Sequence, residues 1–266
     1  MSLAEPPTIY RQKTYAHDDL AGMIRGVEED GFALIPGVLS QDEVCRCRDA
    51  IDQLRPIHWD QLGGTNDHFK NVFNQNPFWL QFIDRSPVIE LAEATLTSEC
   101  HIIGETAWRS HPGHNGDWLH TDQIFLTIPE EILLSGRVKL PCYICTAHYY
   151  LSDITEELCP TKVIPGSHKS GRSPGKDETS WNGRGLESVH CKAGDVLYFR
   201  SELWHSGSQN VTKDQTRYLL QVHYGGRNVA QHFSPFLSWQ FSPEVLRIAN
   251  VRQRRLLGDH KRMAYD

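Results

Sequence analysis

No run of apolar residues in this 266-residue chain approaches the roughly 20 that a bilayer-spanning helix needs. Residues 1–13 lack the apolar core of a signal peptide. Positive charge is also in deficit. With 27 Lys and Arg against 33 Asp and Glu, the net charge is −6, so neither nucleic acid nor an anionic membrane is expected as a partner. The basic cluster Arg252 to Arg262 reads as the solvated face of a C-terminal helix. Cysteine is sparse and scattered: seven residues, an odd number, argue against a disulfide framework and for reduced thiols, hence for a cytoplasmic protein. Cys142 and Cys145 stand three apart in a predicted strand, where they would face opposite sides and share neither a metal nor a disulfide. Internal repeats are absent too.

Helices come first along the chain, then strands. Asp18 to Glu29 has apolar residues at helical spacing, and Ser40-Gln-Asp-Glu43 is a capping box opening a helix to about Leu54. Strands are predicted over 100–109, 118–126, 139–151, 161–164, 188–191, 196–199 and 217–224. Helices against one side of an antiparallel sheet or barrel follow: mainly β with flanking helices (α+β). A single domain over 1–266 is expected, helical over about 17–97, β over about 99–225, with a helical extension over about 240–266.

The chemistry lies in His120-Thr-Asp122, answered by His205 and then Arg217. Two His and one Asp form the ligand set of a facial triad, which holds Fe(II) on one face and leaves three positions open. His-x-Asp alone is weak, and two other copies occur at His17 to Asp19 and His58 to Asp60. His120 differs in lying among apolar residues, where a strand would turn His120 and Asp122 to one face. The alternative is a histidine that merely packs in the core. Thr216 to Tyr224 alternates, placing Arg217, Leu219, Gln221 and His223 on one face, and a hairpin would bring Arg217 beside His205. An inward Arg needs an anion. That anion is either a bound carboxylate or a structural Glu or Asp. His190 and His223 are rival third ligands.

Gly194-Asp195, His205-Ser-Gly-Ser-Gln-Asn210 and Arg217, with Ile164-Pro-Gly-Ser-His168 and His120-Thr-Asp122 upstream, resemble the phytanoyl-CoA dioxygenase family. Gly31 to Glu43 is similar to that family's usual start, and the likeness spans roughly residues 20–260. The resemblance implies a double-stranded β-helix (a jelly-roll, cupin-like core), with Fe(II), 2-oxoglutarate and O2 as cofactor and co-substrates. It implies that His120, Asp122 and His205 bind the iron and Arg217 the far carboxylate of 2-oxoglutarate. The reaction implied is hydroxylation, or desaturation, cyclisation or endoperoxidation, of a small organic molecule of specialised metabolism, releasing succinate and CO2. One departure stands out: relatives often carry Asn-Gly shortly before Pro-Gly-Ser-His, where this chain has Glu156-Glu-Leu-Cys-Pro-Thr161. No contact is carried over from that turn.

The substrate is less legible. Trp118, Tyr149, Trp181, Trp204 and His111 are candidate contacts, the alternative being rings that simply fill the core. Two polar stretches, Ser170 to Gly185 and Arg55 to Asn76 with Trp59 and Phe69, read as gates over the site. A monomer or homodimer acting on a small molecule is expected. The other classes left open are a hydrolase or isomerase on the same triad, and a non-catalytic ligand-binding barrel.

Overall fold

In the computed structural model, residues 10–58, 60–124, 126–262 and 264 are described. Asp19 caps α1 (Leu20–Glu29) by accepting from the Gly22 N–H, and the helix buries Met23 and Val27. The four residues of β1 (Phe32–Ile35) are all buried. Ser40 and Glu43 form the expected capping box at the start of α2 (Gln41–Asp52), which turns Val44, Cys47 and Ile51 inward. The edge strand β2 (Asn66–Lys70), α3 (Leu80–Ile83) and α4 (Val88–Thr95) lead to the long β3 (His101–Ser110). After α5 (Glu130–Leu134) come β4 (Ile144–Tyr150) and the short β5 (Lys162–Val163), β6 (Ser180–Trp181), β7 (Arg184–Gly185) and β8 (Glu187–Ser188). Then follow β9 (Val196–Arg200), β10 (His205–Ser206), β11 (Arg217–Gly225), α6 (Pro243–Ile248) and α7 (Val251–Leu256).

Six strands form one antiparallel sheet in the order β1-β9-β4-β11-β3-β2, and β10-β5-β8 form a smaller one. Together with the β6–β7 pair, these are separate sheets that do not close into a barrel. Alternation gives the large sheet two faces. One face, with Ala107, Ala147, Tyr149, Leu220, Val222 and Tyr224, packs on the helices in the main core. The other, with Tyr150, Leu197, Phe199 and Leu219, packs on Val163 of the small sheet. The mixed α+β reading therefore holds. Among the described residues no helix is long and apolar enough to cross a membrane.

Two expected strands need correction. The segment 118–126, whose Phe125 lies outside the described residues, is no strand: it touches the small sheet through one bridge, His120 to His205, and Asp122 N–H donates to the Ser201 carbonyl. The strand expected from residue 139 begins only at Ile144. Pro141 brings no N–H to a ladder, and the buried Arg200 takes the Leu140 and Pro141 carbonyls instead. Cys142 thus precedes the strand, the alternation rule does not reach it, and its Sγ lies 3.2 Å from that of Cys145. The opposed-faces expectation is wrong. All seven cysteines are free thiols.

Candidate active site

The bridge between His120 and His205 sets two imidazoles side by side, with ring centroids 4.4 Å apart. Each ring has one nitrogen committed. His120 Nδ1 donates to the Trp118 carbonyl at 2.8 Å and His205 Nδ1 to the Leu203 carbonyl at 2.9 Å. A carbonyl only accepts, so each Nδ1 carries a proton and each Nε2 is left facing the site, its lone pair available to a cation once the ring is neutral. They converge on Asp122 Oδ1, 3.7 Å from His120 Nε2 and 3.5 Å from His205 Nε2. One donor atom from each residue falls within 4.8 Å of the others. Two ligands about 2.1 Å from one ion, at right angles, stand about 3 Å apart, so small rotations suffice to close the set on a cation. Burial alone would raise the Asp122 carboxyl, but His205 beside it holds it well below the usual range. Deep-set as it is, Asp122 keeps 39 % of its side-chain surface open. The donors fit a single divalent metal.

A cavity of about 280 Å³ opens beside these three residues. As the alternation of β11 predicts, Arg217, Leu219, Gln221 and His223 all line it. Arg217, 7 % exposed, donates through Nη1 to the Cys159 carbonyl at 2.7 Å, while its Nε is buried with no partner. No carboxylate pairs with it among the described residues, so the structural-salt-bridge alternative fails. Cys159 holds a left-handed backbone (φ 45°). The turn that departs from the family pattern thus takes a left-handed backbone, which favours glycine, at Cys159 and presents the carbonyl that Arg217 bonds.

Strand pairing adds a residue that sequence reasoning missed, His148. Gln221 lies opposite His148 in the β11–β4 register. Its Oε1 accepts from Trp108 Nε1 at 2.7 Å and Thr106 Oγ1 at 2.9 Å. Because the indole can only donate, the amide orientation is fixed, and Nε2 donates to His148 Nε2 at 2.7 Å. His148 therefore bears its proton on Nδ1, which is buried without a partner among the described residues. Burial holds this imidazole well below its ordinary pKa, so it is neutral. His68 stacks on Trp108, centroids 3.6 Å apart, as another wall.

The rival ligands are spent elsewhere. His223 lines the cavity, but its nitrogens face Thr146 (3.0 Å) and Thr106 (3.4 Å), while His190 pairs with Glu156 at 2.9 Å. The expected substrate contacts stand off the cavity. Trp118 is 84 % exposed and serves His120 through its carbonyl. Tyr149, one residue from His148, alternates to the helical side and donates to the Phe82 carbonyl. Trp181 and Trp204 pack together with Ile164, bonded to Glu130 and to the Arg172 carbonyl. His111 is held by Asp67 and Thr216. Nor are the two gates open loops. Arg172 bonds Glu178 and Glu130 across the first. The second contains β2, with Phe69 buried and Trp59 outside the described residues.

Two imidazoles and one carboxylate facing a pocket that has its own cation are the apparatus of a mononuclear metal oxygenase. The chain belongs to the phytanoyl-CoA dioxygenase (PhyH) family, which matches residues 27–218, and it is a dioxygenase. It is similar to the dioxygenase af480 of Aspergillus fumigatus, 25 % identical over 237 residues that cover 80 % of this chain and 68 % of the relative. It is also similar to the dioxygenase aneA of Aspergillus aculeatus, 27 % identical over 241 residues (82 % and 76 %). Among solved structures, HygX from Streptomyces hygroscopicus with nickel and 2-oxoglutarate bound superposes with a TM-score of 0.63 at 19 % identity, covering 79 % of this chain and 88 % of that one. The carbocyclase SnoK from nogalamycin biosynthesis gives 0.64 at 16 % identity, with coverage of 87 % and 95 %. At these identities the likeness concerns the fold.

Proposed function

We propose that this protein is an Fe(II)- and 2-oxoglutarate-dependent oxygenase acting on a small organic molecule of specialised metabolism, in a single cytoplasmic domain built on a double-stranded β-helix. His120, Asp122 and His205 hold the metal. Arg217 holds the far carboxylate of 2-oxoglutarate. The observation that carries this reading is a pair of buried donors, Arg217 Nε and His148 Nδ1, that find no partner among the described residues and belong to side chains lining the cavity that the triad borders. An unmet buried donor costs roughly 1–3 kcal/mol, and a bound dicarboxylate relieves both.

Iron bound here would supply dioxygen activation coupled to decarboxylation of 2-oxoglutarate, so that a substrate C–H bond is oxidised and succinate and CO2 are released. The chain's own residues place the reactants. The Trp118 and Leu203 carbonyls fix both histidine tautomers, so the ligand lone pairs are aimed in advance. Cys159 fixes one edge of the Arg217 guanidinium and leaves the other for a bidentate carboxylate. Gln221 sets the His148 proton as a second, neutral donor. The stacked His68 and Trp108 keep water from one side. Hydroxylation, desaturation and ring closure share these requirements.

The reading is tested by Fe(II)-dependent release of succinate from 2-oxoglutarate. The wild type releases succinate slowly without substrate, and Asp122→Ala releases none. Equal release by the variant, or none by either protein, overturns it.

A further inference from the structure

On the far side of Asp122 from Arg217 lies a second cavity, of about 250 Å³. Asp122, Thr106, Thr146 and His223 line both, whereas Arg217 faces only the first and Lys70 only the second. The edge strand β2 turns His68 and Lys70 toward the cavities and buries Asp67 and Phe69 behind. Lys70 lies opposite Thr106 in the register with β3, and both line the second cavity. It is half-buried, and among the described residues its ammonium has no ion pair and no acceptor. Its ammonium, open to water, is left available to an anion that enters the cavity. His232, on the same wall, has no hydrogen bond at either ring nitrogen among the described residues, and its ring meets the exposed Phe236 at 6.2 Å. Among the described residues that line this cavity, Lys70 is the one lysine or arginine and Asp122, which serves the metal, the one carboxylate.

We propose that the second cavity receives the substrate, that Lys70 anchors an acidic group on it, and that the substrate is a small monocarboxylic acid. This rests on the metal and 2-oxoglutarate reading above. A single ammonium in a small cavity balances one negative charge, which suits a carboxylate better than a dianion. The arrangement places two carboxylates on opposite sides of Asp122, one held by Arg217 and the other by Lys70. The oxidised carbon then lies on the acid's body, near the triad.

The test is calorimetric titration, without oxygen, of metal-loaded protein saturated with 2-oxoglutarate. The titrants are a panel of small aliphatic and aromatic monocarboxylic acids and the primary amide of each. At least one acid binds tenfold or more tighter than its amide; Lys70→Met abolishes that preference, and Lys70→Arg retains most of it. Acids no tighter than amides, no binding by any acid up to millimolar concentration, or acid preference surviving in Lys70→Met overturns the proposal. Lys70 would then only guard an exposed sheet edge. Affinity for 2-oxoglutarate separates the two readings. Normal 2-oxoglutarate binding without acid preference sinks the second cavity alone, whereas absent 2-oxoglutarate binding in the wild type sinks both.

Discussion

Gln221 and His148 face each other across β11 and β4, and the amide N–H of one, 2.7 Å from the ring Nε2 of the other, decides where the imidazole keeps its proton. Among the described residues that proton has no acceptor. His148→Phe retains the ring and deletes the donor. A hydrogen bond to a charged group contributes roughly 1.5–3 kcal/mol, so affinity for 2-oxoglutarate falls about 10–100-fold. Metal affinity stays as it was. Calorimetry on both proteins decides it, and unchanged 2-oxoglutarate affinity removes His148 from the site.

Position 118 separates backbone from side chain in the metal site. Trp118→Ala keeps the carbonyl that His120 Nδ1 uses and loses only an exposed ring. Competition with a coloured chelator reads the metal affinity, which this variant retains. His120→Ala removes a ligand itself and loses more than the roughly 10–100-fold that loss of a ligand's outer partner costs. Loss of metal by Trp118→Ala would contradict the assignment.

Much of this site was legible because periodicity is local. The alternation of β11 puts Arg217, Gln221 and His223 on one face, and they share one cavity. His120 and Asp122 come together by another route than the expected strand: a strap bonded to His205 and Ser201 sets them side by side. Tyr149 shows what periodicity withholds. It separates the two faces of β4 but does not say which one looks inward; that depends on the partner strands. His148 gained its role only from its register with Gln221, a pairing between residues 73 apart in sequence. Trp118, Trp181 and Trp204 drew attention by ring size, yet carbonyl geometry and packing decide what they do.

Glu105 is a fully buried acid with both carboxyl oxygens unpaired. Burial holds its pKa well above the usual range. The folded protein therefore keeps a proton that the unfolded chain releases near pH 4.3. Stability is greatest below that pH and falls as pH rises toward the raised value. Glu105→Gln should melt higher than wild type at pH 7, by about 1–3 kcal/mol, with the gain shrinking toward pH 4. A variant less stable at pH 7 contradicts this.

Glu43 has the opposite sign. Burial alone would raise its carboxyl, but the Ser40 N–H and Arg85 bring it down to about 2. Its contribution is present above pH 4.5 and lost as pH falls toward 2. Glu43→Gln is expected to cost about 1–2 kcal/mol at neutral pH, from cap and ion pair together. Denaturant melts at pH 7 and pH 3 should show the difference narrowing; a constant gap counts against the assignment.

The most direct measurement is an anaerobic titration of the Fe(II)-loaded protein with 2-oxoglutarate, followed by visible absorption. Chelation at a triad-bound iron gives a weak charge-transfer band. The wild type should develop the band and saturate, Arg217→Ala should need at least tenfold more 2-oxoglutarate, and His205→Ala should give none. A wild type without the band, or a His205→Ala protein that matches it, would show that these three side chains do not hold the iron.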